Sequence, residues 1–118
     1  MKIVYASRMG HVEEIVSKLG YTDAVKIVKG DEKVEGEFVL FTYSDLVGET
    51  PAIVESFLAN NPGLKAVVGS GSKARHPETF NFGAIKVGQK YNVPVLATLD
   101  LGGTDAELEA IKNAIAAL

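Results

Sequence analysis

The chain has 118 residues, 47% hydrophobic and 23% charged, a balance typical of one globular domain and not of a disordered segment. Its formal net charge of −3 argues against a nucleic-acid-binding surface, and the absence of cysteine excludes disulfides and thiol redox chemistry. Any redox role therefore requires a bound cofactor. The N-terminus carries no signal-peptide pattern, and no apolar run approaches the length that spans a bilayer. We expect a single domain over residues 1–118, in the cytoplasm, with neither nucleic acid nor membrane as a partner.

Strand and helix patterns alternate along the chain. Apolar runs predict five strands, at residues 3–6, 24–28, 38–43, 64–69 and 93–97. Apolar residues three and four apart predict four helices, which begin near Val12, after Thr50 as N-cap and Pro51 as first residue, near Phe82, and at the T-x-x-E capping box of Thr104. This alternation predicts an α/β fold, a flavodoxin-like three-layer sandwich with a five-stranded parallel sheet in the order 2-1-3-4-5.

Three loops meet at one end of that predicted sheet. In such sheets, ligands bind beyond the carboxyl ends of the strands where the strand order reverses, which brings together residues 7–12, 44–49 and 70–79. The first loop places Ser7 and Gly10 between a buried strand and a helix N-terminus. Free backbone N–H groups and the helix dipole make such a turn an anion site, so we expect a phosphate there, although an ordinary tight turn is the alternative.

Six segments carry a resemblance that runs nearly end to end: IVYASRMGHV (3–12), LFTY (40–43), GETP (48–51), SG (70–71), KYNVP (90–94) and LDLGGT (99–104). In their order and spacing the chain resembles the NrdI family, the small flavodoxin-like proteins that serve class Ib ribonucleotide reductase. The resemblance implies non-covalent FMN, reduced by a flavin reductant that the sequence does not identify. It also implies that reduced flavin reacts with O2 and that superoxide reaches a dimanganese site in the small (radical) subunit of the reductase. The protein would then be an activator rather than a conventional enzyme.

The resemblance implies a flavin site in the three loops, without catalytic or metal-binding residues. In the first loop its candidates are Ser7, Arg8, Met9, Gly10, His11 and Val12; in the second they are Thr42, Tyr43, Ser44, Asp45, Leu46, Val47 and Gly48; in the third they are Ser70, Gly71, Ser72, His76, Glu78 and Phe80. For His11 the alternative is a solvated side chain, and for Tyr43 a core position.

All three loops depart from the family pattern, so the chain is a divergent member. Met9 and His11 replace the Thr and Asn of the S-x-T-G-N phosphate loop, which leaves phosphate binding to Ser7 and the backbone. Leu46 and Val47 replace a Gly-Phe pair, and we expect them to resist the peptide flip that glycine allows beside the flavin. SKARHPE (72–78) replaces N-R-N-(aromatic)-G-D, so His76 or Tyr43 would have to supply the stacking partner.

The cationic side chains of the third loop are a separate expectation. Lys73, Arg75 and His76 either form a solvated loop or line the flavin edge, where they would attract superoxide or an acidic partner surface. A response-regulator receiver is excluded because Ala6-Ser7, Tyr43 and Thr98 occupy the positions of its acidic residues and lysine. A dinucleotide-binding domain is excluded because the first loop lacks G-x-G-x-x-G. A general electron-carrier flavodoxin and a flavin-free binding domain remain alternatives.

Overall fold

The computed structural model describes residues 1–45 and 47–118. These residues form five strands and four helices in strict alternation: β1 (Lys2–Tyr5), α1 (His11–Lys18), β2 (Val25–Lys26), β3 (Phe38–Tyr43), α2 (Ala52–Asn60), β4 (Leu64–Gly71), α3 (Phe82–Tyr91), β5 (Val95–Asp100) and α4 (Asp105–Ala116). All strand pairs are parallel, in the order β2-β1-β3-β4-β5. The predicted fold class and strand order are confirmed.

β3 is buried on both of its faces because an apolar layer covers each side of the sheet. Phe38 and Leu40 point to one side, where they pack with α2 and α3, and Phe38 meets the ring of Phe57 edge-on with centroids 5.5 Å apart. Val39 and Phe41 point to the other side, where they pack with α1 and α4. Successive residues of a strand face opposite sides, so the unbroken apolar run of β3 requires helices on both faces. The three-layer arrangement follows from this strand.

Several predicted strand boundaries are wrong. β2 has only two residues, and β5 begins at Val95 rather than Val93 and continues to Asp100. β4 continues through Ser70 and Gly71, which the sequence analysis placed in a loop, because these residues pair with Leu99 and Asp100 of β5. Small and polar residues give no apolar signal, and only the neighbouring strand decides whether their backbone extends the sheet.

The two predicted helix caps have different outcomes. The capping box of α4 is confirmed, since the backbone N–H of Glu107 donates to the Thr104 hydroxyl (3.2 Å) and that of Thr104 donates to the Glu107 carboxylate (2.9 Å). The prediction of Thr50 as N-cap of α2 is wrong: Pro51 occupies that position. The Thr50 hydroxyl instead donates to the carbonyl oxygen of Gly83 at 2.9 Å. In the described part of the chain, no helix combines the length and apolarity needed to cross a bilayer.

Candidate functional site

A cleft of about 460 Å³ lies at the carboxyl ends of the central strands, between the three loops. This volume is within the range of about 300–1,000 Å³ typical of small-molecule sites. Its walls contain these predicted residues: Ser7, Arg8, Met9, His11, Val12, Tyr43, Ser44, Gly48, Ser70, Gly71, Ser72, His76 and Phe80. Gly10, Thr42, Asp45, Val47 and Glu78 are not among the lining residues, and Leu46 lies outside the described residues.

The first loop presents backbone donors to the cleft. Gly10 takes the N-cap position of α1 with φ of +92°, a left-handed conformation that glycine adopts at little cost. The Ser7 hydroxyl accepts the N–H of Glu13 at 3.3 Å, which satisfies one backbone donor in the first turn of α1 although Ser7 is not the N-cap residue. The N–H groups of His11 and Val12, which both line the cleft, donate to no other described residue. Free donors at a helix N-terminus favour an anion at this point of the wall.

Arg8 connects the first loop to the second. Its guanidinium forms an ion pair with the carboxylate of Asp45 and lies 5.5 Å from the ring centroid of Tyr43. Tyr43 is half-buried, and burial together with the charge of Asp45 raises the pKa of its hydroxyl, an effect that Arg8 partly opposes. The phenol of Tyr43 is therefore neutral at physiological pH and offers the cleft an uncharged aromatic ring.

The second loop is a tight turn held against α3. Asp45 and Glu49 exchange backbone hydrogen bonds, both 2.7 Å long, and Ser44 accepts the N–H of Gly83 at 2.8 Å. Gly48 has φ of +82°, and a Cβ atom there would lie 2.8 Å from Cβ of Phe82. Val47 is 74% exposed. The peptide-flip hypothesis for Leu46 and Val47 stays a prediction, because Leu46 is outside the described residues.

The third loop brings cationic and aromatic side chains to the cleft. Its turn is closed by a 2.9 Å hydrogen bond from the N–H of His76 to the carbonyl oxygen of Ser72, and Arg75 and His76 both line the cleft. Phe80 lines it as well, with the ammonium of Lys73 5.1 Å from its ring centroid. The cleft is thus lined by the aromatic rings of Tyr43 and Phe80, and the described residues that line it include no carboxylate.

Sequence reasoning missed several residues on the wall as site residues: Ala74, Arg75, Thr79, Asn81 and Leu101. Leu101 has φ of +54°, a conformation unusual for a bulky residue and invisible in the sequence except for the Gly-Gly pair that follows. Asn81 is also left-handed and is 1% exposed; its amide nitrogen donates to the Leu99 carbonyl, whereas its Oδ1 finds no partner among the described residues. For Arg75 the sequence left open a solvated loop or the flavin edge, and Arg75 lies on the cleft lining.

Two comparisons by sequence identify relatives of the chain. The family model described as "NrdI Flavodoxin like" matches residues 3–113. Protein NrdI of Bacillus licheniformis is 32% identical over 109 residues, which cover 92% of this chain and 82% of that relative.

Solved structures show the same fold at lower identity. Flavodoxin 2 from Bacillus cereus superposes with a TM-score of 0.64 at 18% identity and covers 99% of this chain and 97% of its own. A short-chain flavodoxin associated with a bacterial microcompartment superposes with a TM-score of 0.63 at 19% identity, and the match covers 95% of this chain and 90% of the flavodoxin. The flavodoxin of Fusobacterium nucleatum, solved with flavin mononucleotide bound, superposes with a TM-score of 0.61 at 17% identity. The match covers 98% of this chain and 94% of that flavodoxin.

Proposed function

The chain belongs to the NrdI flavodoxin-like family, and we propose on this basis that it is an FMN-binding redox protein that serves the small (radical) subunit of class Ib ribonucleotide reductase. The observation that carries this proposal is the cleft itself. It combines free N–H groups at a helix N-terminus, the aromatic rings of Tyr43 and Phe80, and no carboxylate among its described lining residues. An anionic phosphate joined to a planar aromatic ring has matching chemistry.

The residues present fit FMN in two places. His11 and Val12 would donate their backbone N–H groups to the phosphate, with the Ser7 hydroxyl beside them. Tyr43 and Phe80 would contact the ring system, with the neutral phenol of Tyr43 adding no repulsion to an electron-rich flavin. When bound, FMN supplies the electron-transfer chemistry that a chain without cysteine lacks, including reduction of O2 to superoxide.

The cations of the third loop are assigned to the products and partner of this chemistry. Arg75 lines the cleft, and the exposed Lys73 lies beside the ring of Phe80, which also lines it, so both positive charges are close to the proposed flavin. Positive charge beside the flavin retains superoxide and attracts an acidic surface of the reductase subunit. Because that partner is cytoplasmic, the protein would act in the cytoplasm. A flavin reductant of the same compartment would supply its electrons.

The cofactor is tested on purified protein. Heat or acid should release one yellow compound per chain that co-migrates with an FMN standard. We expect FMN rather than FAD because the phosphate turn would end the site and a chain of 118 residues leaves no second domain for an adenosine. Release of FAD, or no flavin after reconstitution with FMN, would contradict the proposal. A colourless protein that never takes up flavin would support the flavin-free binding domain instead.

The partner is tested by charge reversal. Lys73→Glu combined with Arg75→Glu should slow activation of the reductase small subunit at low salt, and the difference should shrink as salt screens the charges. The matched control is Lys65→Glu with Lys112→Glu, which makes the same change in net charge at residues away from the cleft lining. Equal slowing by both pairs would contradict a specific role for the third loop. If the protein reduces unrelated electron acceptors as fast as it activates the reductase subunit, the general electron-carrier flavodoxin is favoured instead.

A further inference from the structure

The ion pair between Arg8 and Asp45 joins two loops that are 37 positions apart in sequence. Arg8 belongs to the first loop and lines the cleft, whereas Asp45 follows β3 and lies off the cleft wall. Their side chains are 58% and 30% exposed, so the pair stands at the surface of the site and is open to exchange. The guanidinium is also held over the ring of Tyr43, which fixes it between the two loops.

The same guanidinium is suited to a phosphate. It is carried by the loop that presents the free N–H groups of His11 and Val12, and a guanidinium binds phosphate oxygens in a two-pronged geometry. A phosphate monoester carries about −1.5 to −2 charges at neutral pH against the single charge of a carboxylate. A phosphate on the first loop therefore competes with Asp45 for Arg8.

We propose that Asp45 is a specificity-determining residue of the cleft: its carboxylate holds Arg8 in the free protein and yields it to an incoming phosphate monoester. The inference rests on the proposed function, since it assigns the phosphate end of the FMN site. Asp45 thus lowers the affinity for phosphorylated flavin, because the ion pair must open first, and has no such effect on a flavin without phosphate. Phosphate binding also frees the side chain of Asp45 from the first loop.

The backbone makes this inference testable by substitution. Asp45 pairs with Glu49 through its main-chain N–H and C=O, so Asp45→Asn removes the charge and leaves those turn hydrogen bonds in place. Glu49→Gln is the matched control: it removes the same charge from the same turn, but the Glu49 carboxylate pairs with Lys86 at 3.6 Å and does not contact Arg8.

The experiment titrates flavin-free protein with FMN and with riboflavin and follows flavin fluorescence. Asp45→Asn should bind FMN about two- to fivefold more tightly, the range expected for release of an exposed ion pair, with riboflavin affinity unchanged. Glu49→Gln should leave both affinities unchanged. Arg8→Gln should weaken FMN binding by a larger factor than riboflavin binding. In the Arg8→Gln background, Asp45→Asn should have no further effect on FMN affinity. In the otherwise unchanged protein, the gain in FMN affinity from Asp45→Asn should decrease as the salt concentration rises.

Besides an unchanged FMN affinity, three results of the flavin titration would overturn the inference. Weaker FMN binding by Asp45→Asn would mean that the carboxylate orients Arg8 for phosphate rather than competing with it. Equal changes for FMN and riboflavin would mean that the substitution alters the loop. A gain that persists without Arg8 would mean that Asp45 repels phosphate directly.

An arm with inorganic phosphate separates this inference from the proposed function. Binding is followed by the amide NMR signals of Met9, Gly10, His11 and Val12. If wild-type protein binds phosphate, and more tightly after Asp45→Asn, but takes up no FMN, the inference stands and the proposed function fails. If neither phosphate nor FMN binds, both fail. If FMN binds and Asp45→Asn leaves the FMN and phosphate affinities unchanged, only the inference fails.

Discussion

The hydroxyl of Ser70 donates a 2.6 Å hydrogen bond to the carbonyl oxygen of Leu101. Ser70 is 5% exposed in β4, and Leu101 is the first residue after β5, with its own N–H donating to the carbonyl oxygen of Gly71 at 2.7 Å. These two bonds hold Leu101 in its left-handed conformation at the wall of the cleft. The edge of the site is thus built by the tertiary contact between two neighbouring strand ends.

The conformation of Leu101 predicts an inverted order of stability for two substitutions. Leu101→Gly should have a free energy of unfolding about 1 kcal/mol higher than Leu101→Ala, because a left-handed conformation penalises any residue with a Cβ atom. Urea denaturation of the two variants measures the difference. Val28 is the control, since it is also an exposed apolar residue but is not left-handed. There the alanine variant should be the more stable, and the same order at Leu101 would contradict the prediction.

Gly48 is predicted to be sterically required. Gly48→Ala should lower the free energy of unfolding by more than the ~1 kcal/mol of a left-handed alanine, because its Cβ atom would lie 2.8 Å from Cβ of Phe82 and 3.2 Å from Cβ of Thr79. Gly20→Ala is the control, since Gly20 has φ of +85° but no described atom within 4 Å of the place its methyl group would take. Denaturation curves of the two variants separate the steric effect from the backbone effect. Equal losses would show that the second loop moves away from α3.

The first loop is predicted to depend on its glycine more than on its serine. Gly10→Val should weaken FMN binding far more than Ser7→Ala, since a branched side chain disfavours the φ of +92° at Gly10 and with it the turn that leaves the N–H groups of His11 and Val12 free for phosphate. Loss of the Ser7 hydroxyl removes one charge-assisted hydrogen bond, worth about 1.5–3 kcal/mol. Gly20→Val is the control: Gly20 has a similar φ and open surroundings but follows the C-terminal end of α1, so this variant should lose stability without losing FMN affinity. A larger effect of Ser7→Ala in the FMN titration would contradict this assignment of roles.

The carboxylate of Glu32 predicts a loss of stability in acid. Burial alone would raise its pKa, but backbone N–H groups outweigh burial and lower the pKa to about 2; those of Val28, Lys29 and Gly30 donate at 2.7, 3.0 and 2.9 Å. The unfolded chain therefore takes up this proton more readily than the folded one. The stabilisation is complete above the ordinary pKa of 4.5 and is lost as the pH falls towards 2.

This pH dependence is measured with Glu32→Gln. At pH 6 the free energy of unfolding of the variant should be about 1–2 kcal/mol lower than that of the wild type. Near pH 2 the two free energies should converge. Glu35→Gln, an exposed glutamate of the same loop, should show no comparable difference at either pH. A deficit of Glu32→Gln that stays constant with pH would show that the amide fails for shape and not for charge.

The local patterns of the sequence determined the architecture. The unbroken apolar run of β3 required helices on both faces, the T-x-x-E pattern specified the start of α4, and the Ser-x-x-Gly turn marked a helix N-terminus facing the ligand end of the sheet. Each of these signals depends on residues within about one turn or one strand of each other. Hydrophobic periodicity and capping act at that range, so they are readable without a tertiary structure.

The walls of the cleft were decided only by the tertiary structure. Ser70 and Gly71 became strand because β5 lies beside them, and Leu101 became left-handed because Ser70 holds it from 31 positions away. Arg8 met Asp45 across 37 positions. Such contacts have no local pattern, because small, polar and charged residues accept many conformations until a partner from another loop selects one. The sequence determined where the site would form, and the packing of the strand ends determined which atoms face it.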